Sequence, residues 1–227
     1  MRHLVLFFCL CMSFLFSSWA AIPETSHFRA AEIPPSFRAA TIIIDPGHGG
    51  TDRGARANSP FCEEKRVCLQ TARLVKKYLD QLGYRVIMTR ITDVYVPLPR
   101  RVEIAEQANA SLFVSIHYNA VRNPVPEGIE IFYCDSKEKK QRTTASKKLA
   151  DSILSRLIRR TSAVSRGVKK GNLFVIRETS MPAVLVEGGF ISNLKERTNL
   201  KDYEYIDKIA RGIADGVDYY YRSIYPK

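Results

Sequence analysis

The chain has 227 residues, of which 45% are hydrophobic and 26% charged, and a formal net charge of +12. This length and apolar content exclude a disordered or fibrous chain and support burial around one core. The excess of lysine and arginine favours anionic partners.

Arg2 and His3 precede an apolar run from Leu4 to Phe16, and small residues follow as far as Ala20 and Ala21. This is the pattern of a secretory signal peptide, too short for a comfortable membrane span, with cleavage expected after Ala20. Bulky residues before Cys9 and Cys11 argue against a lipid anchor. Removing residues 1–20 takes away Arg2 and no acid, which leaves 34 basic and 23 acidic residues, or about +11. An exported protein rarely meets nucleic acid, so an anionic envelope polymer or membrane surface is the expected counterpart. The bland alternative is a solvated basic face. Cys62, Cys68 and Cys134 remain after cleavage, an odd number. Cys62 and Cys68 are close enough in sequence to be bridged, although a core of this size stands without a disulfide.

Residues 21–40 contain a small duplication, "IPETSHFRAA" and then "IPPSFRAA", without apolar periodicity. They read as a flexible linker before a folded domain at 41–227. From Thr41 the runs "TIIID", "YRVIMT", "LFVSIH", "IEIFY", "LFVI" and "AVLVE" read as strands. Helical patterns fit residues 64–82, 99–109, 144–160 and 203–221, with Gly83 stopping the first. This alternation predicts a single α/β domain with a twisted, mostly parallel or mixed sheet of about six strands and helices on both sides.

Of the four histidines, only His48 and His117 fall in this domain, and each directly follows an apolar strand. That places both near strand carboxyl ends, where open α/β sheets build their sites. In the helix from residue 64, the positions Val67, Cys68, Thr71, Leu74, Val75, Tyr78, Leu79 and Leu82 all lie within about 80° of Glu64. Glu64 therefore points inward, where a carboxylate is costly unless paired or bound to metal. Glu63 falls on the flank, and Lys65, Arg66, Arg73, Lys76 and Lys77 fall on the wet face. The alternative is an exposed Glu64 stabilised by the helix dipole. Glu187 ends the apolar run of "AVLVEGGFISN" and belongs on the same rim. Two imidazoles and one carboxylate suit zinc with a position left open, and a fourth, unligated glutamate can take a proton from water. This combination reads as a metallohydrolase. An "HExxH" helix is absent, so the ligands must be gathered from separate loops.

The segments "IIIDPGHGGTDRGA", "EKRVCL", "MTRITDVYVPLPRRVEIAEQANASLFVSIHYNA" and "MPAVLVEGGFISN" together resemble the zinc-dependent N-acetylmuramoyl-L-alanine amidases of the type 3 family, which are peptidoglycan hydrolases. The resemblance runs from residue 41 to about 221. It implies that His48, Glu64 and His117 bind zinc and that Glu187 is the catalytic glutamate. Asn119 matches the "SIHxN" pattern, either as a substrate-orienting group or as a turn-stabilising asparagine. The implied partners are peptidoglycan or muropeptides, with room for a protein activator or localisation partner. Neither nucleic acid nor an integral membrane span in the mature chain is expected, and the protein is expected to be a monomer in the periplasm or otherwise exported.

Some relatives insert a site-plugging helix before the "RGVKxGxxxVIR" segment. No plug is expected here, because residues 144–160 carry a broad core-facing stripe. Two other functions fit parts of the chain. "SKEK" (Ser136 to Lys139) and "SNLK" (Ser192 to Lys195) match the Ser-x-x-Lys signature of serine-acylating, penicillin-interacting peptidases, though no "SDN" or "KTG" accompanies them. The domain also fits a non-catalytic scaffold that binds cell wall.

Overall fold

The computed structural model describes residues 40–224. The expected signal peptide, with His3, and the expected linker as far as residue 39, with His27, lie outside the described residues. Ala40, expected to close the linker, is buried, and its carbonyl accepts the Arg85 N–H at 3.1 Å.

The chain runs through β1 (Thr41–Pro46), a small hairpin of β2 (Arg56–Asn58) and β3 (Phe61–Glu63), α1 (Glu64–Gln81), β4 (Arg85–Met88), α2 (Leu98–Gln107) and β5 (Leu112–Asn119). It continues with β6 (Ile129–Tyr133), α3 (Lys140–Thr161), β7 (Ser165–Lys170), α4 (Phe174–Glu178), β8 (Ala183–Phe190), α5 (Leu194–Asn199) and α6 (Tyr203–Ile224). Six strands form one sheet in the order β4-β1-β5-β8-β6-β7, and only the β6–β8 pairing is antiparallel. The expected six-stranded mixed sheet with helices on both faces is therefore present.

Alternation along the strands sorts the core into two layers. Ile42, Ile44, Val114, Ile116, Val184 and Val186 face α1, α3 and α6. Ile43, Phe113, Ala183 and Leu185 face α2 and α4. The stripe predicted on α3 is buried at Leu149, Ala150, Ile153, Leu154 and Leu157, so this helix is a core element. Gly83, with φ 89°, closes α1: the Tyr84 N–H reaches back to the Leu79 carbonyl at 3.1 Å.

Two expectations are corrected. "LFVI" is not a strand, because Phe174–Glu178 is a short helix; the neighbouring edge strand is Ser165–Lys170. Four apolar residues in a row do not distinguish a strand from one buried helical turn, and an edge strand exposed to water carries little apolar signal. Lys65 is not on a wet face. It is buried, and its ammonium reaches the Gly50 carbonyl at 2.9 Å and Asp93 Oδ2 at 2.8 Å, because the loops after β1 and β4 fold over the first turn of α1. The three cysteines are free and buried, so Cys62 and Cys68 are not bridged. Among the described residues, no helix is long and apolar enough to cross a membrane.

Candidate metal centre

Because β1, β5 and β8 are parallel, their carboxyl ends share one edge of the sheet. His48 leaves β1 in a left-handed backbone conformation, φ 59°, that a non-glycine residue adopts only when its surroundings enforce it. Enforcement comes from below. Arg101 donates to the carbonyls of Pro46 at 2.7 Å, His48 at 2.8 Å and Val96 at 2.9 Å. Arg90 donates to those of Pro46 at 3.0 Å, Gly47 at 2.6 Å and Lys65 at 2.9 Å. Beneath the loop, Asp45 accepts from Arg101 at 2.7 Å, Thr89 at 2.6 Å and Ser115 at 2.7 Å. Burial works against the Asp45 charge, but Arg101 and these hydroxyls overcome it and hold the carboxyl below the usual range.

The three sequence-selected donors converge. Glu64 Oε1 lies 2.9 Å from His48 Nε2 and 3.0 Å from His117 Nδ1, and the donor atoms of all three residues lie within 4.8 Å of one another. Tetrahedral zinc with bonds of about 2.0–2.2 Å needs donors roughly 3.3–3.6 Å apart, so the two Glu64–imidazole contacts would open by a few tenths of an ångström around the ion. Glu64 Oε2 accepts the Ala55 N–H at 2.8 Å, and Oε1 also accepts the Tyr118 N–H at 3.2 Å, which orients the carboxylate. Two glycines make the space. A Cβ on Gly47 would stand 2.3 Å from His117 Cε1, and one on Gly54 would stand 2.6 Å from both Glu64 Oε2 and His48 Cδ2. Glu63, the neighbouring candidate, instead faces Arg66 at 3.0 Å and Arg56 at 3.4 Å on the flank.

The electrostatics match a cation site. Burial resists the Glu64 charge, yet hydrogen bonds and charge from His117 and His48 hold its carboxyl far below the usual range. Burial likewise opposes charge on His48, but Glu64 and then Asp52 outweigh it and raise the imidazole pKa. Asp52 Oδ2 lies 2.9 Å from His48 Nδ1 and so fixes which ring nitrogen faces the cluster. Sequence reasoning missed Asp52; its only signal is an acid four residues after a glycine-flanked histidine. Beside the cluster lies a cleft of about 320 Å³ whose apolar wall includes Tyr95, Val96, Leu98 and Val175.

Glu187 pairs in register with His117 on one side and with Glu130 on the other. Its Oε2 is shielded from water and has no hydrogen-bond partner among the described residues. Burial first, and then the neighbouring charges of Glu64 and Glu130, push its pKa well above the usual carboxylate range. Glu130 is the opposite case: burial is overcome by Lys169 and Arg166, which lower its pKa. Asn119 is drawn to Glu130, its Nδ2 donating to Oε1 at 2.8 Å. The Ser-x-x-Lys serines lie outside this cluster. Ser192 Oγ accepts the Val121 N–H at 3.2 Å while Lys195 pairs with Glu127 at 3.3 Å, and Ser136 Oγ accepts the Lys139 N–H at 3.3 Å.

The family described as "Amidase_3: N-acetylmuramoyl-L-alanine amidase" matches residues 42–219. "N-acetylmuramoyl-L-alanine amidase LytC" of Bacillus subtilis is 40% identical over 200 residues, covering 88% of this chain and 39% of LytC. The chain thus spans about two-fifths of that relative's length. The catalytic domain of CwlV, an N-acetylmuramoyl-L-alanine amidase from Bacillus (Paenibacillus) polymyxa var. colistinus, superposes with a TM-score of 0.74 at 38% identity, covering 80% of this chain and 98% of that domain. The CwlD amidase of Clostridioides difficile, solved in complex with the GerS lipoprotein, gives a TM-score of 0.75 at 32% identity over 81% of this chain and 99% of CwlD. With the fold and the family match in agreement, this chain belongs to the N-acetylmuramoyl-L-alanine amidase family.

Proposed function

We propose that the protein is a zinc-dependent amidase that cleaves the bond between the lactyl group of muramic acid and the L-alanine of the peptidoglycan stem peptide. The observation that carries this reading is the convergence of His48, Glu64 and His117 beside Glu187, whose Oε2 is shielded from water and has no hydrogen-bond partner among the described residues. In this reading His48, Glu64 and His117 hold zinc, a set that matches the three-ligand pattern of catalytic rather than structural zinc. Zinc held there supplies Lewis acidity toward the amide carbonyl and toward water.

Glu187 acts as general base, taking the proton of the attacking water. In the second half of the reaction it returns that proton to the departing amine of alanine. Asp52 orients His48. Asn119, held by Glu130, orients substrate from beside His117. Residues 1–20 serve as a cleaved export signal and the residues from 21 up to the buried Ala40 as a tether, so the enzyme works on the wall outside the cytoplasm. The core position of α3 fits a site open without an activator, and added partner protein should change turnover less than threefold. Products from defined muropeptides, followed by mass spectrometry with and without a chelator, test the reading. Free lactyl-muramic acid and an alanine amine, both lost on chelation, support it. An unchanged rate in chelator, or a cut elsewhere in the stem, contradicts it.

A further inference from the structure

The reactive rim is lopsided. From one flank to the other the strands run β1, β5, β8, β6, β7, at ~4.8 Å per strand. Beyond His48, on the β1 flank, the exposed Tyr95 and Leu98 present an apolar wall to the cleft. Beyond Glu187, on the opposite flank, β7 brings up two cations. Arg166 Nε and Lys169 Nζ reach Glu130 Oε2 at 2.9 and 2.5 Å. Two cations share one carboxylate, so the group keeps one net positive charge. Their side chains remain 33% and 39% exposed. Of the neighbouring charges, Lys195 pairs with Glu127 and Lys170 with Asp135, while Glu187, in register with Glu130, is the adjacent carboxylate. The Arg166 guanidinium also lies 4.9 Å over the Phe190 ring, which steadies its plane.

Glu187 breaks the symmetry for the substrate. If it returns a proton to the alanine amine, the departing peptide lies on its side of the donors, toward β6 and β7. The acyl half and its sugar then lie toward His48 and Tyr95. We infer that Arg166 and Lys169 form a subsite for a carboxylate of the stem peptide, with the peptide crossing β8 and β6 toward the β7 edge. This inference rests on the amidase reading for its direction. Its chemistry is a charge-assisted contact from two partly exposed cations to an anionic peptide.

The test compares two substrates that differ at one group, muramoyl-L-alanyl-D-glutamate with its α-carboxylate free and the same compound with that carboxylate amidated. In parallel, the corresponding free peptides are titrated into the zinc-loaded protein by calorimetry. The acid should be preferred about tenfold in kcat/KM, mainly through KM, and about tenfold in binding, with the preference shrinking at high salt. Arg166→Gln and Lys169→Gln, each leaving one cation on Glu130, should lower both ratios to about threefold or less. Lys147→Gln, on the exposed face of α3, should leave them at the wild-type value. A wild-type ratio near one, or ratios that neither β7 variant moves, overturns the subsite, and the wild-type ratio decides even where a variant does not fold. Cleavage without preference removes the subsite and leaves the amidase reading intact. Peptide binding that keeps the acid preference without cleavage of either muropeptide does the reverse.

Discussion

Asp45 and Glu187 are carboxylates on the same face of one sheet, separated by the single strand β5; Asp45 is buried, and Glu187 Oε2 is shielded from water. Under the His48 loop, Asp45 meets a guanidinium and two hydroxyls and stays ionised. On the β8 rim, Glu187 faces other carboxylates, leaves one oxygen without a partner and is driven toward its neutral form. Burial acts alike on both, so the difference lies in the company each keeps. A satisfied buried charge anchors a loop, whereas an unsatisfied one is poised to exchange a proton.

The sharpest way to break this contrast is to exchange each group in turn. Glu187→Gln should lower turnover by about 100-fold or more while bound zinc is unchanged, as seen by steady-state kinetics alongside metal analysis. Turnover within threefold of wild type moves the base elsewhere. Arg101→Met strips Asp45 of its cation and releases three loop carbonyls. It should cost about 3–5 kcal/mol in urea unfolding, the usual effect of leaving one partner of a buried pair alone. A cost below about 1 kcal/mol means the loop is held by something else.

Stability against pH separates the two carboxylates further, in metal-free protein. The raised Glu187 pKa means the folded state holds a proton that the unfolded state releases above about 4.3, so this group lowers stability as pH rises past that value. Glu187→Gln removes the penalty and should be more stable than wild type by about 1–3 kcal/mol at pH 7, converging with it near pH 4. Asp45 has the reverse sign: its contribution is present above about pH 3.9 and is lost as pH falls through its lowered folded value. The smallest effect belongs to Glu63→Gln, which should change stability by about 1 kcal/mol and leave zinc stoichiometry unchanged, since the buried Glu63 carboxylate keeps its oxygen acceptor toward Arg53, Arg56 and Arg66, which remain in water.

The parts legible in the sequence are those that local rules determine. His48 and His117 could be picked because each ends an apolar strand, and Glu64 because helical phase separates it by 100° from Glu63. The partners that tune these residues come from distant strands and loops. Glu130 meets Glu187 through an antiparallel pairing that no linear pattern announces, and Arg101 reaches Asp45 across 56 positions. Lys65 was misplaced for the same reason: helical phase sets direction but not what folds over it. Strand β7, "SRGVKK", escaped notice because an exposed edge strand needs no apolar run.

The central claim is that His48, Glu64 and His117 share one ion. Zinc-edge anomalous diffraction from crystals of the zinc-loaded protein addresses it. A single anomalous peak about 2.0–2.2 Å from His48 Nε2, a Glu64 oxygen and His117 Nδ1, absent from Glu64→Gln crystals, is the expected result. A peak elsewhere, or one that survives in Glu64→Gln with unchanged height, contradicts it.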